Sequence, residues 1–87
     1  MKIEYSKKFI KEFKKCSLKV QSAFYKRLEL FVNNKNHPLL YNHKLSGQLK
    51  DYRSINIDGD YRALFQEFDN GQTVYFAVIG SHSRLYS

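Results

Sequence analysis

The chain is predicted to fold as an α+β domain in which a helical hairpin packs on one face of an antiparallel sheet. Three observations point there. Apolar residues recur at helical spacing between Phe9 and Phe31. From Tyr52 onwards they alternate at strand spacing. Two turn signals, Asp58-Gly59-Asp60 and Asp69-Asn70-Gly71, divide that second part into three strands. The expected order is β-α-α-β-β-β.

Each element has a local reason. In MKIEY, Ile3 and Tyr5 alternate with polar residues, as in a short strand. Ser6 follows as an N-cap, and Phe9, Ile10, Phe13 and Cys16 then form an apolar stripe opposite a row of lysines. Ser17 opens a second helix to about Asn33, with Val20, Phe24, Leu28 and Phe31 on its apolar face and Ala23 beside them. Asn33, Asn34 and Asn36 favour turns, and Pro38 disfavours helix at His37. The run LLYNHKLSG fits either a short helical turn or an extended connection ending at Gly47. Next, DYRSINI sets Arg53, Ile55 and Ile57 against Tyr52, Ser54 and Asn56. YRALFQEF alternates in the same way, and the nearly continuous apolar run QTVYFAVIG fits a strand buried inside the sheet.

Eighty-seven residues bound a single domain, 1–87, with one modest core. A hydrophobic content of 43% with seven Phe and seven Tyr supplies that core and argues against a disordered chain. One cysteine, Cys16, excludes an internal disulfide, and its spacing suggests a buried structural position. The first residues lack the apolar run of a secretory signal and no stretch approaches a membrane span, so a cytoplasmic protein without membrane contact is expected. The net charge of +7 is uneven: residues 1–50 carry 12 of the 15 basic and 3 of the 8 acidic residues, a local balance of +9, against −2 for residues 51–87. Such a field attracts a polyanion or an acidic protein, or else only aids solubility.

His37, His43, His82 and Cys16 have no metal-ligand spacing, and the four glycines are isolated turn residues, so neither a metal site nor a phosphate-cradling loop is expected. A serine hydrolase is disfavoured, because the serines and histidine of Gly-Ser-His-Ser at 80–83 are too close in sequence to converge. What remains is a set of cationic and acid–base groups: His43, Arg53, Asp60, Arg62, His82 and Arg84, with Tyr86 near them. Metal-free RNA cleavage needs such a set: a base for the ribose 2′-OH, an acid for the departing 5′-oxygen, and cations for the phosphate. Each member also has a purely structural reading. His43 would bond a loop, Arg53 and Arg62 would pair with acids, Asp60 would shape a turn, Asn56 would lie on the sheet surface, and Tyr86 would pin the tail.

The combined pattern HKLSG, DYRSINIDGDYRALF and VIGSHSRLY resembles the RelE/ParE superfamily of bacterial type II toxins, and within it the YafQ-like messenger-RNA endoribonucleases. The resemblance spans nearly the whole chain. It implies the RelE-like fold and a toxin that cuts mRNA in the ribosomal A site without a cofactor and is silenced by a cognate antitoxin. Residue by residue it implies catalytic roles for His82 (general acid), for His43 or Asp60 (base) and for Arg62. Arg53, Asn56, Arg84 and Tyr86 would contact the substrate, and Lys7 and Lys11, with the other lysines of the first helix, would dock on ribosomal RNA. Asn56 stands where the pattern often has a histidine, and Tyr61 where it has tryptophan. The rival readings are a ParE-like inhibitor that binds DNA gyrase without catalysis, which would not need titrating histidines, and a non-catalytic RNA-binding module.

Overall fold

A computed structural model describes residues 1–86. The chain forms β1 (Lys2–Tyr5), α1 (Lys7–Lys15), α2 (Leu18–Asn33), β2 (His43–Lys44), β3 (Arg53–Asn56), β4 (Tyr61–Phe68), β5 (Thr73–Ser81) and a short α3 (His82–Tyr86). Single 3₁₀ turns at Pro38–Leu40 and Gly47–Leu49 flank β2. The ambiguous run after Asn36 is thus both of the expected alternatives in succession, a helical turn and then an extended segment.

The five strands lie in the order β1-β5-β4-β3-β2. The β3–β4 and β4–β5 pairs are antiparallel, as tight turns require. Asp69 and Asn70 take positive φ in the second turn, which their side chains tolerate, and Gly71 follows at φ +84. The sheet is nevertheless mixed: β1 runs parallel to β5, with Ile3 opposite Val74 and Tyr5 opposite Phe76. No short turn joins these two strands, so nothing local imposes an antiparallel direction.

Ser6 caps α1 as expected, and Ser17, expected to open α2, is its N-cap. The Ser6 Oγ accepts the Phe9 N–H at 2.9 Å and donates to the Ala77 carbonyl at 2.7 Å, tying the start of α1 to β5. The Ser17 Oγ accepts the Val20 N–H at 3.2 Å. Phe9, Phe24 and Phe31 from the hairpin pack on Ile55, Ile57, Ala63, Phe65, Val74, Phe76 and Ile79 from one sheet face. Edge-to-face ring pairs, Phe24 on Phe76 and Phe31 on Phe65, fix the helix–sheet spacing.

Two expectations about α1 need correction. Ile10 is 45% exposed, because Phe9 and Phe13 hold the inward positions one turn apart and Ile10 lies to their side. Cys16 is half-buried at the helix end, where its Sγ donates to the Glu12 carbonyl at 3.4 Å. Burial pushes its thiol pKa up, the Glu12 carboxylate adds to this, and Arg84 opposes it.

Candidate functional site

Several of the candidate residues gather on the face of the sheet away from the helical hairpin. Residues directly opposite one another in paired strands share a face. His43 is opposite Ser54, Ser54 opposite Leu64, and Leu64 opposite Val78; one step along, Asn56 is opposite Arg62 and Arg62 opposite Gly80. Ile55, Ala63 and Ile79 form the alternate row, inside the core. His43, Asn56 and Arg62 are therefore brought to one surface.

That surface is partly roofed by α3, an element the sequence pattern did not indicate. The His82 backbone N–H donates to the Asp60 carbonyl at 2.8 Å, the Arg84 backbone N–H to the Ser81 Oγ, and the Tyr86 hydroxyl bonds the Ser54 Oγ at 3.0 Å. Ser54, which alternates with the core residue Ile55, is the fully buried polar residue among those described. Gly80 allows this closure: a Cβ there would come within 3.1 Å of the Leu85 side chain. The Tyr86 ring also meets the His82 ring edge-on, with centroids 4.8 Å apart. His82 and His43 thus flank Ser54, one through the Tyr86 ring and hydroxyl, the other as its β2 neighbour.

The hydrogen bonds of His43 define its tautomer. Its Nδ1 lies 2.8 Å from the Tyr41 carbonyl oxygen. A carbonyl can only accept, so Nδ1 carries the proton and the neutral ring presents its lone pair at Nε2. The Asp60 side chain is exposed and makes no hydrogen bond or ion pair among the described residues, while its carbonyl anchors α3. The turn is built by Asp58, whose Oδ1 accepts the Asp60 and Tyr61 N–H groups at 2.8 and 2.6 Å. For Asp58, burial opposes ionisation; the two N–H bonds, helped by the charges of Arg62 and Lys19, outweigh it and hold the carboxyl below its usual range.

The arginines divide. Arg62 directs Nη1 to the Asp58 and Tyr61 carbonyls, both at 3.0 Å, and its Nε and Nη2 make no hydrogen bond among the described residues. Arg53 is opposite Phe65, on the helix-facing side of the sheet, where its Nε donates to Asn42 Oδ1 at 2.9 Å and steadies the segment leading into His43. Arg84 pairs with Glu12 at 3.3 Å, joining α3 to α1. Neither Arg53 nor Arg62 is in an ion pair among the described residues. Asn56 keeps a buried Oδ1 without a hydrogen-bond partner. Such an atom calls for a donor. Lys7, Lys11, Lys14 and Lys15 surround Ile10 on the outer face of α1, with Lys8 exposed beside them.

Several structural contributors carried no sequence signal of their own. Ser54 reads as an ordinary strand serine and Glu12 as a surface acid, though its side chain is only 12% exposed. Arg27 reads as a solvated helix residue, yet donates to the Ile57 and Leu39 carbonyls and holds the loop before β2 against the end of β3. No group of three or more His, Cys, Asp or Glu side chains able to hold a metal ion occurs among the described residues, and no helix among them is long and apolar enough to cross a membrane.

The fold and sequence have clear relatives. YafQ from Escherichia coli strain BL21(DE3) superposes with a TM-score of 0.79 at 22% identity, covering 98% of this chain and 97% of that one. A metal-bound toxin from Helicobacter pylori is 30% identical over 99% of both chains, with a TM-score of 0.73. The E. coli DinJ–YafQ complex gives a TM-score of 0.70 at 24% identity over 98% and 97% of the two chains. No functionally curated sequence matches the chain significantly. The family model described as the bacterial toxin of type II toxin–antitoxin systems, YafQ, matches residues 1–87. On the strength of that match, which runs through every element described above, the chain belongs to the YafQ family of type II toxins.

Proposed function

We propose that this toxin is a ribosome-dependent endoribonuclease that cleaves mRNA in the A site by metal-free acid–base chemistry. One observation carries the reading: two imidazoles flank the buried Ser54, one beside it on β2 and the other at the head of the helix whose Tyr86 bonds it. In the proposed reaction the Nε2 of His43 takes the proton of a ribose 2′-OH. The O2′ attacks the adjacent phosphorus, forming a 2′,3′-cyclic phosphate. The bond from phosphorus to the departing 5′-oxygen breaks, and protonated His82 delivers a proton to that oxygen. His43 is preferred to Asp60 as base because its tautomer is held by the Tyr41 carbonyl, whereas no described residue bonds the Asp60 carboxylate. The unused N–H groups of Arg62 would neutralise the phosphate as its charge develops. Asn56, opposite Arg62 in the β3–β4 pair, would hydrogen-bond the sugar or phosphate through its side-chain amide. Arg53 supports the approach to His43 and Arg84 holds α3 against Glu12. The lysine face of α1 would dock on ribosomal RNA.

A cognate antitoxin is the proposed neutralising partner, since the E. coli relative is known in complex with DinJ. The deciding experiment incubates purified protein with ribosomes translating a defined mRNA. Wild type should cut the message at the A site, with His82→Ala and His43→Ala each slower by about 10²–10⁴-fold while remaining folded. Either variant cutting at the wild-type rate removes that histidine from the mechanism. No cutting by wild type, together with gyrase inhibition, would favour the binding-inhibitor reading.

A further inference from the structure

Tyr41 occupies a conformation that its residue type disfavours. It closes the Pro38–Leu40 turn at φ 46, ψ 49, the left-handed region. The other non-glycine residues described with positive φ are Asp69 and Asn70, types that accept it in a turn. A bulky aromatic there stores strain, and glycine or asparagine is what such a helix end normally takes. The conformation has two local results. It points the Tyr41 carbonyl at His43 Nδ1, 2.8 Å away, and it lays the tyrosine ring by the imidazole, with centroids 4.5 Å apart and planes tilted by 40°. The carbonyl bond would survive with glycine or asparagine at this position, so it does not account for the ring. Nor does the core, because Tyr41 is 64% exposed.

We propose that the Tyr41 ring is a stacking platform for a nucleobase of single-stranded RNA, that of the nucleotide whose 2′-OH faces His43. This rests on the nuclease reading for the role of His43. A base and its own 2′-OH are joined to the same ribose, so a ring beside the imidazole meets the base when Nε2 meets the hydroxyl. Aromatic stacking of this kind tolerates any base, because each has a π face. Tyr41 therefore contributes affinity and register, and leaves sequence preference to other contacts.

The test pairs a protein change with an RNA change. Tyr41→Asn and Tyr41→Gly suit the left-handed backbone, keep the carbonyl in place and remove the ring; Tyr41→Phe keeps the ring. The RNA is a ribosome-bound mRNA with a 2′-deoxy nucleotide at the cleavage position, which binds without being cut, prepared with the base present or abasic. Wild type and Tyr41→Phe should bind the intact complex about 5- to 100-fold more tightly than the abasic one. Tyr41→Asn and Tyr41→Gly should bind both alike, at about the wild-type affinity for the abasic RNA, with thermal stability equal to or above wild type. If Tyr41→Asn discriminates between the two RNAs as strongly as wild type, the platform is refuted and the nuclease reading stands. If wild type binds the mRNA complex no better than ribosomes lacking mRNA, the nuclease reading fails and takes the platform with it.

Discussion

Removing one oxygen atom, by Tyr86→Phe, isolates the bond that clamps α3 to the sheet. The hydroxyl of Tyr86 lies 3.0 Å from the Ser54 Oγ, and Ser54 has no exposed surface. Without the tyrosine oxygen, the serine hydroxyl remains in a dry site with its partner gone. Such a loss costs about 1–3 kcal/mol, more than the mean worth of a hydrogen bond, because water cannot replace the partner. The reverse change, Ser54→Ala, costs less: Tyr86 is half-buried, so its hydroxyl can turn to solvent. The double variant removes both polar groups and should be no worse than Ser54→Ala alone. Urea unfolding of the four proteins measures this directly. With a slope of about 2 kcal/mol per molar, a 2 kcal/mol loss moves the midpoint by about 1 M. The expected coupling between the two sites is at least about 1 kcal/mol. Single-variant losses that add within about 0.5 kcal/mol would show the two groups to be independent and refute the clamp. Activity supplies a second readout. Tyr86→Phe keeps the ring against His82 and the backbone bond from His82 to Asp60, so cleavage should fall less than 10-fold, well short of the loss of an acid–base group.

Replacing Lys7, Lys8, Lys11, Lys14 and Lys15 with Gln should weaken ribosome binding and flatten its dependence on salt, since fewer counterions are released; an unchanged slope in a salt titration would place docking elsewhere. Asn56→His puts an imidazole opposite Arg62 and should steepen the pH dependence of cleavage around neutrality if that position can accept the substrate proton. If Asn56 instead holds the sugar, cleavage gains nothing from histidine and falls with Asn56→Ala, as rates from about pH 5.5 to 8.5 would reveal. Asp58→Asn should destabilise the fold by about 1 kcal/mol at neutral pH by weakening the bonds to the Asp60 and Tyr61 N–H groups. The Asp58 pKa is depressed on folding, so its stabilisation is complete above the unfolded carboxylate value and is lost as pH falls through the lower folded value. The gap between wild type and variant in denaturant midpoint should therefore close in acid; a gap independent of pH would contradict this origin.

The helices were legible because their signals are local. Ser6 and Ser17 cap from positions adjacent to their helices, and Phe9 with Phe13 in α1, and Phe24 with Phe31 in α2, recur at helical spacing. The β3–β4–β5 meander was legible because two turns of strong type separate alternating runs. The parallel pairing of β1 was not, since Ile3 and Val74 carry no mark of each other. A five-residue helix such as α3 is too short for periodicity to register. The site divides along the same line. His43, Asn56, Arg62 and His82 were singled out from chemistry and family pattern as candidates, and strand pairing sets His43, Asn56 and Arg62 on one face. Arg53 shares the alternation of Ile55 and Ile57, and the sheet places it accordingly on the helix-facing side. Ser54, Glu12 and Arg27 act through residues distant in the chain, and such partners become visible only once the strands are paired.

The position of β5 has a kinetic consequence. It is the last strand in chain order, yet it lies between β1 and β4. Until it is in place, β1 has nothing to pair with, and the serine that starts α1 lacks the Ala77 carbonyl it binds. The sheet therefore closes only once β5 is in place, through contacts of long sequence separation, which are slow to form. Since α3 follows β5 directly, His82 reaches the sheet in the same step. The interval before β5 inserts is one in which β1 and the open edge of β4 offer unpaired backbone to any segment that arrives first.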